Sequence, residues 1–273
     1  MPEKQVPVAR WEGGRAHAAT DSLGAEEPVE IRVEYSFKER REIATLGLTL
    51  ASPGDEADLA CGLLHAEGWL SSAAEIAAIH VQPGAVLVSL CEGVEPATAS
   101  SRHLVRTSAC GLCGREELPE LAAPAEPAEP AAATLPIGLL YELPARLAAA
   151  QPAFQRTGAL HAAALFNLQG ELLALREDIG RHNALDKLIG HRLRAGQLPL
   201  TGHLILLSGR AGYELLQKCA AASTTFVASI GAPSTMAVDL ARRQNITLIG
   251  FLRKERCNVY THPQRIVQNF PGE

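Results

Sequence analysis

Cys110-Gly111-Leu112-Cys113 is the stretch of this sequence best suited to chemistry. Two thiols at this spacing can ligate zinc, cycle between dithiol and disulfide, or carry sulfur as a persulfide. A structural zinc takes four ligands, usually from two pairs. No second Cys-x-x-Cys is present, and no closely spaced histidine pair follows. A zinc deaminase shows His-x-Glu and then Pro-Cys-x-x-Cys. Here His161 is followed by Ala162 and Ala163, no proline precedes Cys110, and the order is reversed. No metal is expected. A thioredoxin-type pair opens a helix directly after a strand. Gly111 and Gly114, with a Pro-rich stretch soon after, suit a loop better. A persulfide carrier needs an accessible thiolate on such a loop, and Arg106 and Arg115 favour the thiolate. Spacing alone leaves redox exchange and sulfur carriage both open.

A second set of polar residues follows three apolar runs. Leu204–Leu207 runs into Ser208-Gly209-Arg210, residues 225–229 into Gly231-Ala232-Pro233-Ser234, and residues 247–251 into Arg253, Lys254 and Arg256. Helical patterns over residues 213–222 and 234–243 separate these runs. That order predicts parallel strands with right-handed crossovers. Ligands of open α/β sheets bind outside the carboxyl ends of such strands. Hydroxyls, helix N-termini and four cations there suit a phosphorylated or nucleotide-like ligand. Each piece also has a plain structural reading, Ser234 as an ordinary N-cap among them. Residues 176–183 place four charges and a histidine before a further helix, at residues 183–193. They form either a solvated loop pairing Asp178 with Arg181 or the charged mouth of a site.

The elements that position these groups extend over most of the chain. Residues 1–28 read as a flexible arm. Residues 29–108 read as an α/β subdomain, with strands at 29–33, 43–50, 86–90 and 103–106. Its helix follows Ser52-Pro53-Gly54-Asp55-Glu56, buries Leu59, Leu63 and Leu64, and closes at Gly68. Residues 109–136 read as the thiol loop and a Pro/Ala linker, and residues 137–273 as a second α/β subdomain. That subdomain starts with a helix at 139–149 and a hairpin over 160–176.

Composition narrows the partners. Of 273 residues, 47% are hydrophobic, enough for a large core, and only 4% are aromatic, too few for base-stacking platforms. The net charge of -5 disfavours nonspecific binding to nucleic acid or a membrane surface. No apolar run is long enough to cross a bilayer, and the N-terminus has no secretory core, so a cytoplasmic protein is expected. Six cysteines are too few here for a disulfide scaffold, and Cys61, Cys91 and Cys219 read as small buried hydrophobes.

Taken together, the motifs resemble the formate dehydrogenase accessory sulfurtransferase family (FdhD, sulfur carrier proteins), from about Glu27 to Arg265. They include Ser52 to Glu56, Ala66-Glu67-Gly68, Cys110 to Gly114, Thr157-Gly158, and His161 to Ala164. Arg176 to Lys187, Ser208-Gly209-Arg210, Ala232-Pro233-Ser234 and Val259 to Arg265 complete them. The sequence departs from the family pattern at Ala159, Gly212 and Gly231, the last two lacking a hydroxyl.

The resemblance implies a sulfurtransferase. Cys110 would take sulfur from a cysteine desulfurase as a persulfide, with Cys113 as its partner. The acceptor would be the molybdenum of the bis(molybdopterin guanine dinucleotide) cofactor, before its insertion into formate dehydrogenase. The cofactor would rest on Phe251, Leu252, Arg253, Lys254, Glu255 and Arg256, with Ser208, Arg210 and Ser234 of the strand-end edge. The resemblance also implies a fold similar to the cytidine deaminase class and a homodimer. A non-catalytic chaperone for the molybdenum cofactor is the alternative in another functional class.

Overall fold

The computed structural model describes residues 3–95 and 133–268. Where a loose arm is expected, β1 (Glu3–Glu12) and β2 (Arg15–Gly24) pair as an antiparallel ribbon. Gly13 and Gly14, both at positive φ, form its turn, a geometry glycine adopts without strain. β3 (Glu27–Phe37) and β4 (Arg40–Ala51) follow, then α1 (Glu56–Ala66), β5 (Ile76–Gln82) and β6 (Ala85–Leu90). They make a four-stranded sheet ordered β4-β3-β6-β5, in which β3 and β6 run parallel. Alternation on β3 turns Val29, Ile31, Val33 and Tyr35 inward, into one core with Leu59, Leu63 and Leu64 of α1. β5 is an element that sequence patterning misses. Its strand is only part buried and carries no clear apolar face.

The next described element is β7 (Leu135–Pro136), inside the stretch expected to be linker, followed by α2 (Ile137–Ala149) and α3 (Pro152–Thr157). Next come β8 (His161–Phe166), β9 (Leu172–Asp178), α4 (Arg181–Arg194), β10 (Leu204–Leu207) and α5 (Tyr213–Ala221). The remaining elements are β11 (Phe226–Ser229), α6 (Thr235–Arg243), β12 (Thr247–Arg253), β13 (Arg256–Val259) and β14 (Ile266–Val267), which pairs with β7. The six-stranded sheet is ordered β13-β12-β11-β10-β8-β9. β10, β11 and β12 are mutually parallel, as the alternating pattern predicts. The expected strand at residues 103–106 lies outside the described residues.

Both faces of this sheet are covered, which is why its central strands are continuous apolar runs. Ile205 and Leu207 face the core shared with α4, α5 and α6, whereas Leu204 and Leu206 face Leu140, Leu143 and Leu147 of α2. Each fully buried leucine contributes roughly 2 kcal/mol. The two sheets meet through α1 and α4. Gly62 and Gly190 let their backbones touch, since a Cβ on Gly190 would overlap the Asp58 carbonyl and lie 2.6 Å from the Gly62 nitrogen.

Candidate functional site

Strand direction collects the polar residues on one edge of the six-stranded sheet. The carboxyl ends of β10, β11 and β12 lie side by side because these strands are parallel. β8 and β13 run antiparallel to their neighbours, so their first residues, His161 and Arg256, come to the same edge. β9 returns against β8 and brings Asp178 opposite His161. The edge therefore reads Asp178, His161, Ser208-Gly209-Arg210, Gly231 to Ser234, and Phe251 to Arg256.

Backbone hydrogen bonds join its loops. Gly231 N–H donates to Gly209 O at 2.8 Å, Ala211 N–H to Ala232 O at 3.1 Å, and Phe251 N–H to Gly231 O at 3.0 Å. Glycine relieves crowding where these turns press together. A Cβ on Gly231 would lie 2.9 Å from Gly209 O, and one on Gly250 would lie 2.7 Å from Pro233 Cδ. Phe251 itself takes φ 53, a left-handed conformation rare for a bulky residue. That twist interrupts the β12–β13 register between Gly250 and Arg253.

The edge residues divide by what their side chains already do. Ser234 caps α6, its hydroxyl accepting from Ala237 N–H at 3.2 Å. Leu252 is fully buried in the core under α2, so only its backbone reaches the edge. Arg253 donates to the carbonyls of Ile230 and Leu252, at 2.6 and 2.8 Å. Ser208 Oγ accepts from Ala162 N–H at 2.8 Å and lies 3.5 Å from His161 Nδ1. Phe251, Lys254, Glu255, Arg256 and Arg210 are exposed, and none of the charged four makes an ion pair among the described residues. Arg210, Lys254 and Arg256 are thus the cations open to an anionic ligand. His161 and Ser208 meet because β8 is antiparallel to β10, an orientation that local sequence does not encode.

Beside this edge is the mouth of α4. Asp178 does not form a surface pair with Arg181. It is fully buried and bonded to Lys187 Nζ at 2.7 Å, with Ser52 N–H, Gly180 N–H and Asn183 Nδ2 also donating to it. Lys187 Nζ also donates to Ser52 O at 2.7 Å. The Ser52 turn is thereby locked onto α4. His182 Nε2 lies 3.2 Å from Glu214, and Asp186 pairs with Lys218 at 2.5 Å. Between β4 and α4 is a cavity of about 350 Å³ whose polar lining includes His161, Arg181, His182, Asn183, Asp186 and Glu214.

Three histidines are held below the usual imidazole pKa, chiefly because burial removes water from the charged ring. Arg181 adds repulsion at His161, Arg176 at His191 and Arg265 at His262, outweighing the nearby Asp178 at His161 and Asp58 at His191. Each is neutral in the fold at pH values where the unfolded chain is protonated. The unfolded state then binds more protons, so stability falls as pH drops below 6.5, down to the folded pKa values. Urea midpoints should be lower at about pH 5.5 than at about pH 7.5. A flat profile over that range would contradict this account.

Cys110 and Cys113 lie outside the described residues. Cys61 and Cys219 are buried as expected, and burial pushes both thiols up to about 12. Cys91, expected to be buried, is only partly so, with Sγ 3.5 Å from Ala74 O. Cys257 is also partly buried, with its thiol pKa raised by burial.

Comparison with known proteins places this arrangement in context. Residues 25–267 match the model of the FdhD/NarQ family. A "Sulfur carrier protein FdhD" from Streptomyces avermitilis is 42% identical over 272 residues, covering 95% of this chain and 94% of that protein. One from Sulfurisphaera tokodaii is 33% identical over 267 residues, covering 98% and 100%. Among solved structures, a candidate formate dehydrogenase accessory protein from Desulfotalea psychrophila matches with TM-score 0.73 at 24% identity. That match covers 98% of this chain and 100% of the other.

Proposed function

The chain belongs to the FdhD/NarQ family, and on that premise we propose that it is a sulfur carrier serving formate dehydrogenase. In this reading Cys110 thiolate attacks the outer sulfur of a cysteine desulfurase persulfide. The products are Cys110–S–SH and the desulfurase thiolate, so sulfur moves without a change in total charge. Cys113 is the second thiol, able to relay the sulfur or to form a disulfide on its release. The acceptor is the molybdenum of the bis(molybdopterin guanine dinucleotide) cofactor. The protein's part is to hold that cofactor as substrate and to position the persulfide. A cytoplasmic homodimer and a cytidine deaminase-like class for the six-stranded sheet are parts of the same proposal.

The observation that supports it best is the convergence on one sheet edge of three cations that make no ion pair among the described residues. Arg210, Lys254 and Arg256 stand at the edge-side ends of β10, β12 and β13, with the Ser208 and Gly231 turns on the same edge. A dinucleotide presents phosphates to such cations and a base to the exposed ring of Phe251. Ser234, Leu252 and Arg253 support this edge through their own internal bonds, so their substitution should affect folding more than ligand contact.

The test is intact-mass analysis after incubation with a cysteine desulfurase and cysteine. Wild type should gain about 32 Da, the mass of one added sulfur atom. Cys110→Ala should gain none. A wild type that never gains this mass would refute the carrier and leave the non-catalytic cofactor chaperone.

A further inference from the structure

We propose that the cavity between β4 and α4 is a second ligand site, taking a small monoanion with an apolar body, of the arylalkyl carboxylate class. The proposal stands independently of sulfur carriage.

One wall is apolar. Ile31 of β3, Leu48 and Leu50 of β4, Leu59 and Leu63 of α1, and Ile179 line it. β4 is an edge strand, and Leu48 and Leu50 are each 55% exposed. The cavity thus has uncovered apolar surface. Its volume of about 350 Å³ falls in the range of small-molecule sites, which pair an apolar lining with a few placed polar groups.

Charge balance on the opposite wall sets the sign of the ligand. Two carboxylates line it, and each is already engaged: Asp186 pairs with Lys218, and Glu214 lies 3.2 Å from His182 Nε2. Asn183 is also engaged, donating to Leu50 O at 2.8 Å and to Asp178. Arg181 makes no ion pair or hydrogen bond among the described residues. Glu26 lies at the exposed rim, where water screens it. A guanidinium facing an apolar wall binds a carboxylate strongly, because its charged hydrogen bonds form away from bulk water. His161, at the junction with the strand-end edge, supplies a neutral ring nitrogen beside Arg181.

Calorimetric titration of the full chain tests the proposal with three probes that share one body: phenylbutyrate, phenylbutanol and phenylbutylammonium. Phenylbutyrate should bind at least about tenfold tighter than the other two. Arg181→Gln should remove that preference and leave phenylbutanol unchanged. Leu48→Ser, at an exposed position that should not disturb folding, should weaken phenylbutyrate and phenylbutanol alike. Arg210→Gln, on the strand-end edge, should leave all three unchanged. Equal binding of acid and alcohol would overturn the anion assignment. Displacement of phenylbutyrate by guanosine diphosphate would overturn a separate site and assign the cavity to the nucleotide edge.

Discussion

Gly190→Ala is expected to cost about 3 kcal/mol or more and to lower the melting temperature by roughly 6–12 °C. The reason is the crossing of α1 and α4. The new methyl would overlap the Asp58 carbonyl oxygen and lie 2.6 Å from the Gly62 nitrogen. Both are backbone atoms of a packed helix, so no side chain can rotate away. Gly62→Ala should behave alike, its methyl meeting the Asp186 backbone. The helices would have to separate, and with them the cores they seal. Gly138→Ala is the control: it lies near the start of α2 with nothing within 4 Å of the added carbon. Alanine there should be neutral or slightly stabilising, since glycine is the poorer helix former. Thermal melting of the three variants distinguishes close approach from helix propensity. A Gly190→Ala protein that melts like wild type would refute the close packing.

Lys187→Met should destabilise the protein by about 3–5 kcal/mol. Lys187 and Asp178 are both almost fully buried, and the lysine also holds the Ser52 carbonyl. Methionine fills similar volume but leaves a carboxylate inside the protein without its cation. The double variant Asp178→Asn with Lys187→Met should recover part of the loss, because no buried charge then remains unpaired. Urea denaturation of the two single variants and the double variant measures the coupling. Strict additivity would mean that the pair does not act as a unit. Because Asp178 and Asn183 set the first turn of α4, Arg181 should also lose its position in the Lys187→Met variant.

Much of the six-stranded half is legible from local patterns. The strands after residue 200 are apolar runs closed by glycine and serine turns, and Ser234 is the N-cap it resembles. That legibility follows from local causes: turn stereochemistry, capping and side-chain periodicity act within a few residues. The β1–β2 ribbon was readable in principle from Gly13-Gly14. Its largely exposed polar strands concealed it.

The thiol pair, the family motifs and the cationic strand ends were determined by the sequence alone. They are residue types at fixed spacing, and no fold is needed to see them. Only the tertiary structure decided that β8 runs antiparallel and brings His161 beside Ser208. It also decided that Asp178 belongs to Lys187 rather than Arg181, and that Arg181 lines a cavity with one apolar wall. Each of these depends on segments far apart in the chain that meet through packing. Desolvation then decides which charges must pair, and that is a property of depth rather than of sequence distance.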